Sequence, residues 1–232
     1  LYFSGPSLTA PLNMIYAPDL KDNPIPYQFL LAATPQMETM PDLIPNQSVD
    51  RSTRGFHFEG NTSDSIVIYL PQEGCLHVLA PDTDSKSFEE LRYASIWNKI
   101  IPLSNLDLIK TNINSPSLPS EYFGEVSLNN WCYYYQKASL NEQIEDWGNV
   151  IHYFELAREK GFVPKDESEW LPLVNAYIHL EDYDTAIELS QNINLDNLFT
   201  KQGLCSLWHG VQYLNEEQKA EKDNLIHLWE CD

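Results

Sequence analysis

From Trp170 to Ile193 the chain places its large apolar side chains at the spacing of two short helices joined by a tight acidic turn. Trp170, Leu173, Tyr177 and Leu180 fall at i, i+3, i+7 and i+10, which makes one apolar stripe on a first helix. Glu181 and Asp182 then occupy the turn. Ala186 is small enough to let a second helix approach the first closely. Asp182 and Asp184 put negative charge at the start of that second helix, where free backbone N–H groups and the helix dipole favour it. Such a helical pair cannot bury its apolar stripe alone, so the pattern demands neighbours.

A second pair lies upstream. In WCYYYQKASLNEQIEDWGNVIHYFELAREKG, Tyr134, Ala138, Trp147, Val150, Ile151, Phe154 and Ala157 take corresponding places. Between the two pairs Gly161 ends a helix, Pro164 blocks its continuation, and Asp166 or Ser168 can cap the next. Downstream, Leu198, Leu204, Leu207, Trp208 and Val211 predict a further helix, and Leu225, Ile226, Leu228 and Trp229 one more. The Trp170–Ile193 unit resembles a tetratricopeptide repeat: Trp170, Leu173, Val174, Tyr177, Tyr183 and Ala186 stand where that family places its aromatic, Leu, small, Tyr, Tyr and Ala residues. It departs from the family at Val174, where Gly is usual, at Ser190, where a large apolar residue is usual, and in lacking a Pro after the second helix. The resemblance implies a stacked array whose terminal pair is atypical and polar on its outer side. Trp147, Trp170, Tyr177 and Trp208 are expected in the core. By family position the concave groove would be lined by Tyr135, Ser139 and Glu142 from one unit and Asn175, Ile178 and His179 from the next. The Lys and Asn clamp with which some family members grip a terminal carboxylate has no full counterpart.

Residues from about 8 to 115 follow another pattern. The runs IYAP, QFLLAATP, GFHFEG, SIVIYLP and CLHVLAP are short, β-branched or aromatic, and closed by Pro or Gly, as short strands and turns are. Phe56 and Phe58, then Ile66, Ile68 and Leu70, alternate with polar or smaller residues, so one sheet face is expected to be buried. A helix is predicted over Lys86–Lys99, capped by Ser87 with Glu90 three residues on and turning Phe88, Leu91, Ser95 and Ile96 inward. From Ile100 to Asn129, Pro102, Pro116 and Pro119 interrupt regular structure, although Leu103, Leu106, Leu108, Ile109, Tyr122 and Phe123 are too apolar for a free tether. The fold class is therefore α+β: a small α+β domain at 8–115, a linker at 116–129 and an all-α helical-hairpin array at 130–232. LYFSGPS at 1–7 resembles the remnant of a cleavable tag.

With 14 Lys and Arg against 34 Asp and Glu, the formal charge of −20 repels nucleic-acid phosphates and anionic lipid. Nucleic acid is excluded as an expected partner, and no apolar run is long enough for this segment to insert into a membrane. Four cysteines, Cys75, Cys132, Cys205 and Cys231, form no CxxC pair, which argues against zinc. Cys205 and Cys231 fall on helices expected to be neighbours, so a bridge there is compatible with an oxidising compartment; Cys75 with Cys132 would then tie the two halves together. Three connectivities are open to four cysteines, and so is a set of buried free thiols.

No catalytic constellation, cofactor motif or metal spacing stands out. DTDSKSFEE at 82–90 lacks the Gly of a calcium loop and carries Lys86 where a ligand belongs. His57, His77, His152, His179, His209 and His227 never fall into HExxH or another metal spacing, so ordinary surface or half-buried roles are expected of them. Asn46-Gln47-Ser48 and Asn61-Thr62-Ser63 fit the N-glycosylation pattern by chance more readily than by design.

Beyond the repeat, LLAATPQM at 30–37, GCLHVLAP at 74–81, YFGEVSLNNWCYYYQKA at 122–138 and CSLW at 205–208 resemble the soluble C-terminal tail of uncharacterised bacterial proteins whose multi-pass membrane region is similar to glycosyltransferases that use lipid-linked sugars. The resemblance covers most of residues 27–232. It implies an extracytoplasmic, non-catalytic segment, with its cysteines in an oxidising setting and any catalytic carboxylate in the membrane part. Two functions follow as expectations: an interaction module that docks a protein or peptide partner or its own membrane domain, or an accessory domain that binds sugar or lipid-linked substrate with Tyr133, Tyr134 and Tyr135 as stacking faces.

Overall fold

The computed structural model describes residues 5–19, 23–31, 42–53, 55–71, 73–81, 84, 94–109, 120–124, 129–212 and 214–231. It is an α+β chain with a helical C-terminal array and, among the described residues, two small antiparallel sheets. Contacts divide it into two units, and the division does not follow the linear boundaries expected from composition. One unit comprises Leu1–Val67 with Ser95–Val126, the other Ile68–Ala94 with Ser127–Asp232.

In the first unit, helix α1 (Gly5–Tyr16) replaces the short strand expected at IYAP. The Asn13 side chain accepts from the Tyr27 N–H and donates to its carbonyl, and the Thr9 hydroxyl oxygen accepts from the Phe29 N–H, so an extended segment is held along the helix. Strands β1 (Ser48–Thr53) and β2 (Phe56–Asn61) form a hairpin with Arg51 opposite Phe58, and Ile25 bridges to Phe58 at its side. The turn at Gly55 has φ of +85°, a conformation that glycine adopts without steric cost. Helix α2 (Ala94–Ile100) covers the end of the predicted Lys86–Lys99 helix; its expected cap at Ser87 and Glu90, with Phe88 and Leu91, lies outside the described residues. Ile25, Val49, Ile96, Trp97, Ile100, Ile101 and Leu103 are buried in this unit. Pro102 sits inside a 3-10 turn at Ile101–Leu103, and a four-residue helix, α3 (Ser120–Phe123), follows in the Pro-rich stretch.

The second unit contains three helical hairpins. They are α4 (Trp131–Gln143) with α5 (Trp147–Glu159), α6 (Leu171–His179) with α7 (Tyr183–Gln191), and α8 (Leu198–Gly210) with α9 (Glu216–Leu228). The first two are built alike. Glu145 and Glu181 take left-handed φ of 59° and 61° in the turns, and the Asp146 and Asp182 carboxylates then accept from the Asn149 and Thr185 N–H groups as N-caps. One apolar cluster joins Trp131, Tyr135, Ala138, Val150, Phe154 and Ala176; a second joins Val174, Ala186, Ile187, Leu204, Trp208 and Leu225. Trp170, Tyr177 and Leu189 are half-buried and pack against both, which makes the stack continuous. A Cβ on Gly203 would lie 2.5 Å from a Leu171 methyl, so a side chain there would force Leu171 at the start of α6 to turn aside.

Two departures from the sequence pattern have physical causes. Leu180, expected on the buried stripe, is 49 % exposed, because α6 ends at His179 and the chain has already turned away. Ser190, which occupies a place suited to a large apolar residue, is fully buried. Its hydroxyl donates to the Ala186 carbonyl at 2.7 Å and accepts from the Trp208 indole N–H at 3.0 Å, so it satisfies a buried donor that an aliphatic side chain would strand.

This unit also holds a β-hairpin, β3 (Ile68–Tyr69) with β4 (His77–Val78), docked on the helices. Disulfides join Cys75 to Cys132 and Cys205 to Cys231, with Cα separations of 5.3 and 5.6 Å. The first therefore ties a hairpin to α4 inside one unit, instead of joining two halves of the chain. The residues 82, 83 and 85–90 of the considered calcium loop and the 1–4 part of the tag-like start lie outside the described residues.

Candidate functional site

The residues expected along a groove separate into a buried set and an exposed set. Tyr135 (1 % exposed) and Asn175 (6 %) are buried and cannot form a groove wall; Ser139, Glu142 and Ile178 are half-buried and His179 is exposed. The buried members belong to a polar network that no sequence motif announced.

Tyr135 lies on the inward face of α4, and its hydroxyl is 2.6 Å from His77 Nδ1 on β4. Burial lowers the His77 pKa to about 4 against the opposing charge of Asp166, and burial together with the charges of Glu142, Glu169, Asp84 and Asp166 pushes the Tyr135 hydroxyl well above its ordinary value. Both groups are thus neutral at pH 7, and the phenol can donate to the ring nitrogen. Tyr69 and Phe199 complete an aromatic cage about His77, with Phe199 5.9 Å from it edge-on.

Two turns further along α4, Glu142 accepts from Asn175 Nδ2 at 2.8 Å. The residue as a whole is half-buried, yet its carboxyl group is enclosed. Burial raises its pKa to about 7; the Asn175 hydrogen bond opposes this and the charge of Asp84 adds to it. Burial likewise raises Asp84 to about 6, although its carboxylate accepts from the Ala80 N–H at 2.6 Å.

Glu169 is the third centre. It has no exposed surface, and its carboxylate accepts from the Cys75 N–H, the Trp131 indole N–H and the Lys165 N–H. Burial raises its pKa while these donors pull it down. A Cβ on Gly74 would lie 2.9 Å from Glu169 Oε1 and 2.5 Å from Pro71, so only glycine lets this loop reach the carboxylate. The sequence pointed to none of His77, Asp84 or Glu169. The only prior signal was a Glu inside the otherwise capping-rich segment 166–170.

These groups join the β3–β4 hairpin, α4 and α6 to one another. Their titration sets an expected pH dependence. Glu142 and Asp84 have folded pKa values raised from 4.5 and 3.8, so the stability they contribute is full below those values and is lost as pH rises through about 7 and about 6. His77 is depressed from 6.5 to about 4, so its contribution is present above 6.5 and is lost as pH falls through about 4. Between pH 4.5 and 6 two acids oppose one imidazole, and up to 7 Glu142 remains, so net stability declines toward neutrality. The Glu142 contribution is on the order of 3 kcal/mol, which for a chain of this size is a Tm shift of roughly 5 to 10 °C. Thermal unfolding by circular dichroism is expected to give a higher Tm at pH 5 than at pH 7.5. Glu142→Gln, which keeps the acceptor for Asn175, should raise the Tm at pH 7.5 and shrink the difference; an unchanged difference would exclude Glu142 as its source.

His179, the exposed member of the expected groove, lies at the turn end of the first two hairpins beside the half-buried Trp147. The Trp147 and His179 rings stack face to face at 4.0 Å with 4° between their planes. Ile144 and Leu180, at equivalent positions in the two turns, are 54 % and 49 % exposed. Tyr134 is buried and Tyr133 is half-buried, and their rings meet edge-on. The Asn46 and Asn61 tripeptides are spent on local structure: the Ser63 hydroxyl donates to Asn46 Oδ1, and Asn61 Oδ1 accepts from the Ser63 N–H. His57 sits between Ser52, Asp50 and Glu59 on the β1–β2 hairpin. Among the described residues there is no group of three or more His, Cys, Asp or Glu placed to hold a metal, and no helix is long and apolar enough to cross a membrane. No protein-family model matches the chain, and neither a curated protein nor a solved structure matches it.

Proposed function

We propose that this chain is a non-catalytic interaction module that works on the extracytoplasmic side of a membrane, as the tail of a membrane protein, and docks a protein or peptide partner or its own membrane region. The observation that supports it best is the repetition of one turn design, a left-handed Glu followed by a capping Asp, in two hairpins whose apolar faces are spent on each other. A tetratricopeptide-like stack of this kind has its interior committed to packing and its free surface available for recognition. The two disulfides fit a compartment where thiols are oxidised. The sugar-binding alternative would use rings that are in the core at Tyr134 and Tyr135.

The test is photo-crosslinking in intact cells that produce the natural full-length protein with a photoreactive residue at Ser139 or Ile178, alongside an exposed control at Ser52. Adducts with a polypeptide are expected from the array positions at about tenfold the yield of the control. Equal yields from all positions, or a purified domain that itself turns over a lipid-linked sugar, would overturn the proposal.

A further inference from the structure

We propose that the turn end of the helical array, centred on the Trp147–His179 stack, is a docking platform for a cationic peptide segment that carries an apolar side chain. This deepens the interaction-module reading and rests on it.

Turns are ordinarily polar because they face water, yet here each of two successive turns exposes a large aliphatic residue, Ile144 and Leu180. Between them the Trp147 and His179 rings lie parallel, bridging the two hairpins, and His179 is exposed, so one face of the ring pair is open to a further planar or aliphatic group. A guanidinium is the side chain that stacks on such a plate while remaining solvated at its edge.

The charge around the plate selects the partner. Glu145, Asp146, Glu181 and Asp182 are all exposed at the same two turns, and among the described residues no Lys or Arg forms an ion pair with any of them. Arg158, Lys160 and Lys165 follow or close α5 at the far end of the first hairpin, and Lys201 sits in the first turn of α8, also away from these turns; Lys219 follows Gln218, which donates to Asp184 just after the second turn, and is outnumbered there by Asp184, Glu216 and Glu217. The turn end thus keeps its negative field, which draws in a cation and repels an anionic surface. An apolar centre ringed by like charge is the layout of an interface that takes its affinity from the middle and its choice of partner from the rim.

The experiment is a nuclear magnetic resonance titration of the disulfide-intact chain at neutral pH and 150 mM salt with three synthetic twelve-residue peptides, alternating Arg and Leu, Arg and Ser, or Glu and Leu. The Arg–Leu peptide is expected to shift the amides of residues 144–147 and 179–182 and the Trp147 indole N–H. The Arg–Ser peptide should bind at least tenfold more weakly, and the Glu–Leu peptide should leave the spectrum unchanged. The double variant Glu145→Lys/Glu181→Lys, exposed at both positions and therefore expected to fold, should weaken Arg–Leu binding about tenfold or more, and Ile144→Ser/Leu180→Ser should do the same with the charge intact. Equal binding of Arg–Leu and Arg–Ser would reduce the platform to diffuse attraction and overturn the proposal. So would binding insensitive to both double variants. Shifts confined to another face of the array would overturn the platform while leaving the interaction module standing; no binding by any peptide, together with no crosslinks from Ser139 or Ile178, would remove both.

Discussion

Glu169→Ala is expected to destabilise the protein by about 4 kcal/mol, which for a chain of this length lowers Tm by roughly 10 °C. The side chain is fully buried and serves three donors at once, the Cys75 and Lys165 backbone N–H groups and the Trp131 indole. Removing it strands those donors without water, and each stranded group costs about 1 to 3 kcal/mol. The cavity left by a carboxylate and two methylenes adds to this. Glu169→Gln should lie between the variant and the parent, because one oxygen still accepts while the amide N–H₂ faces a donor. Glu188→Ala, on the exposed side of α7, should stay within about 0.5 kcal/mol. Urea denaturation followed by tryptophan fluorescence checks all three; a Glu169→Ala loss under about 1 kcal/mol would mean that the donors find other partners and that the network does not hold the hairpin.

That residue also marks where reading the sequence stopped. The helical pairs were legible because their signals are local: apolar residues three and four apart, Asp146 and Asp182 at the helix starts, Gly161 with φ of +75° at the end of α5. So was the α+β class, since GFHFEG forms β2; the buried sheet face expected from its alternation is not found, because Phe56, Ile66, Ile68 and Leu70 are all exposed. The polar network was not, because nothing periodic in a sequence tells which carboxylate is buried. Glu169 looks like one more acid in DESEW, and its partner Cys75 lies 94 residues away. Likewise Tyr135 and Asn175 occupy helix positions that an isolated repeat would leave on its inner wall. They are covered here because His77 comes in from a hairpin far upstream and Glu142 reaches across from α4. The expected boundary near residue 116 does not separate the two units for the same reason: composition changes there, but Tyr69, Cys75 and His77 reach helices of the C-terminal array. Of the proposed docking platform, His179 was found by helix position, whereas Ile144 and Leu180 stand out only once the helix ends are known.

Reduction of both disulfides is expected to abolish cooperative folding near 37 °C. Cys75–Cys132 closes a loop with a sequence separation of 57 and Cys205–Cys231 one of 26. Loop-closure entropy makes these worth about 4 and about 3.5 kcal/mol respectively in the oxidised chain. The pair together is comparable with the whole net stability of an ordinary domain, about 5 to 15 kcal/mol. Replacing each pair by Ser separately should lower the unfolding free energy by similar amounts but loosen different places. Without the first bridge, amide exchange should rise in β3 and β4, which lose their covalent tie to α4 and keep the contacts of Glu169, His77 and the rings. Without the second, α9 should exchange faster, because most of its residues are exposed and Leu225 and Trp229 are its deeply buried anchors. The comparison is hydrogen exchange and thermal melting with and without dithiothreitol. A chain with this dependence would persist only where thiols are kept oxidised, which supports the proposed extracytoplasmic location by a physical route independent of any resemblance. A reduced protein that melts within a degree or two of the oxidised one would withdraw that support and show that the helical stack stands on its apolar core alone.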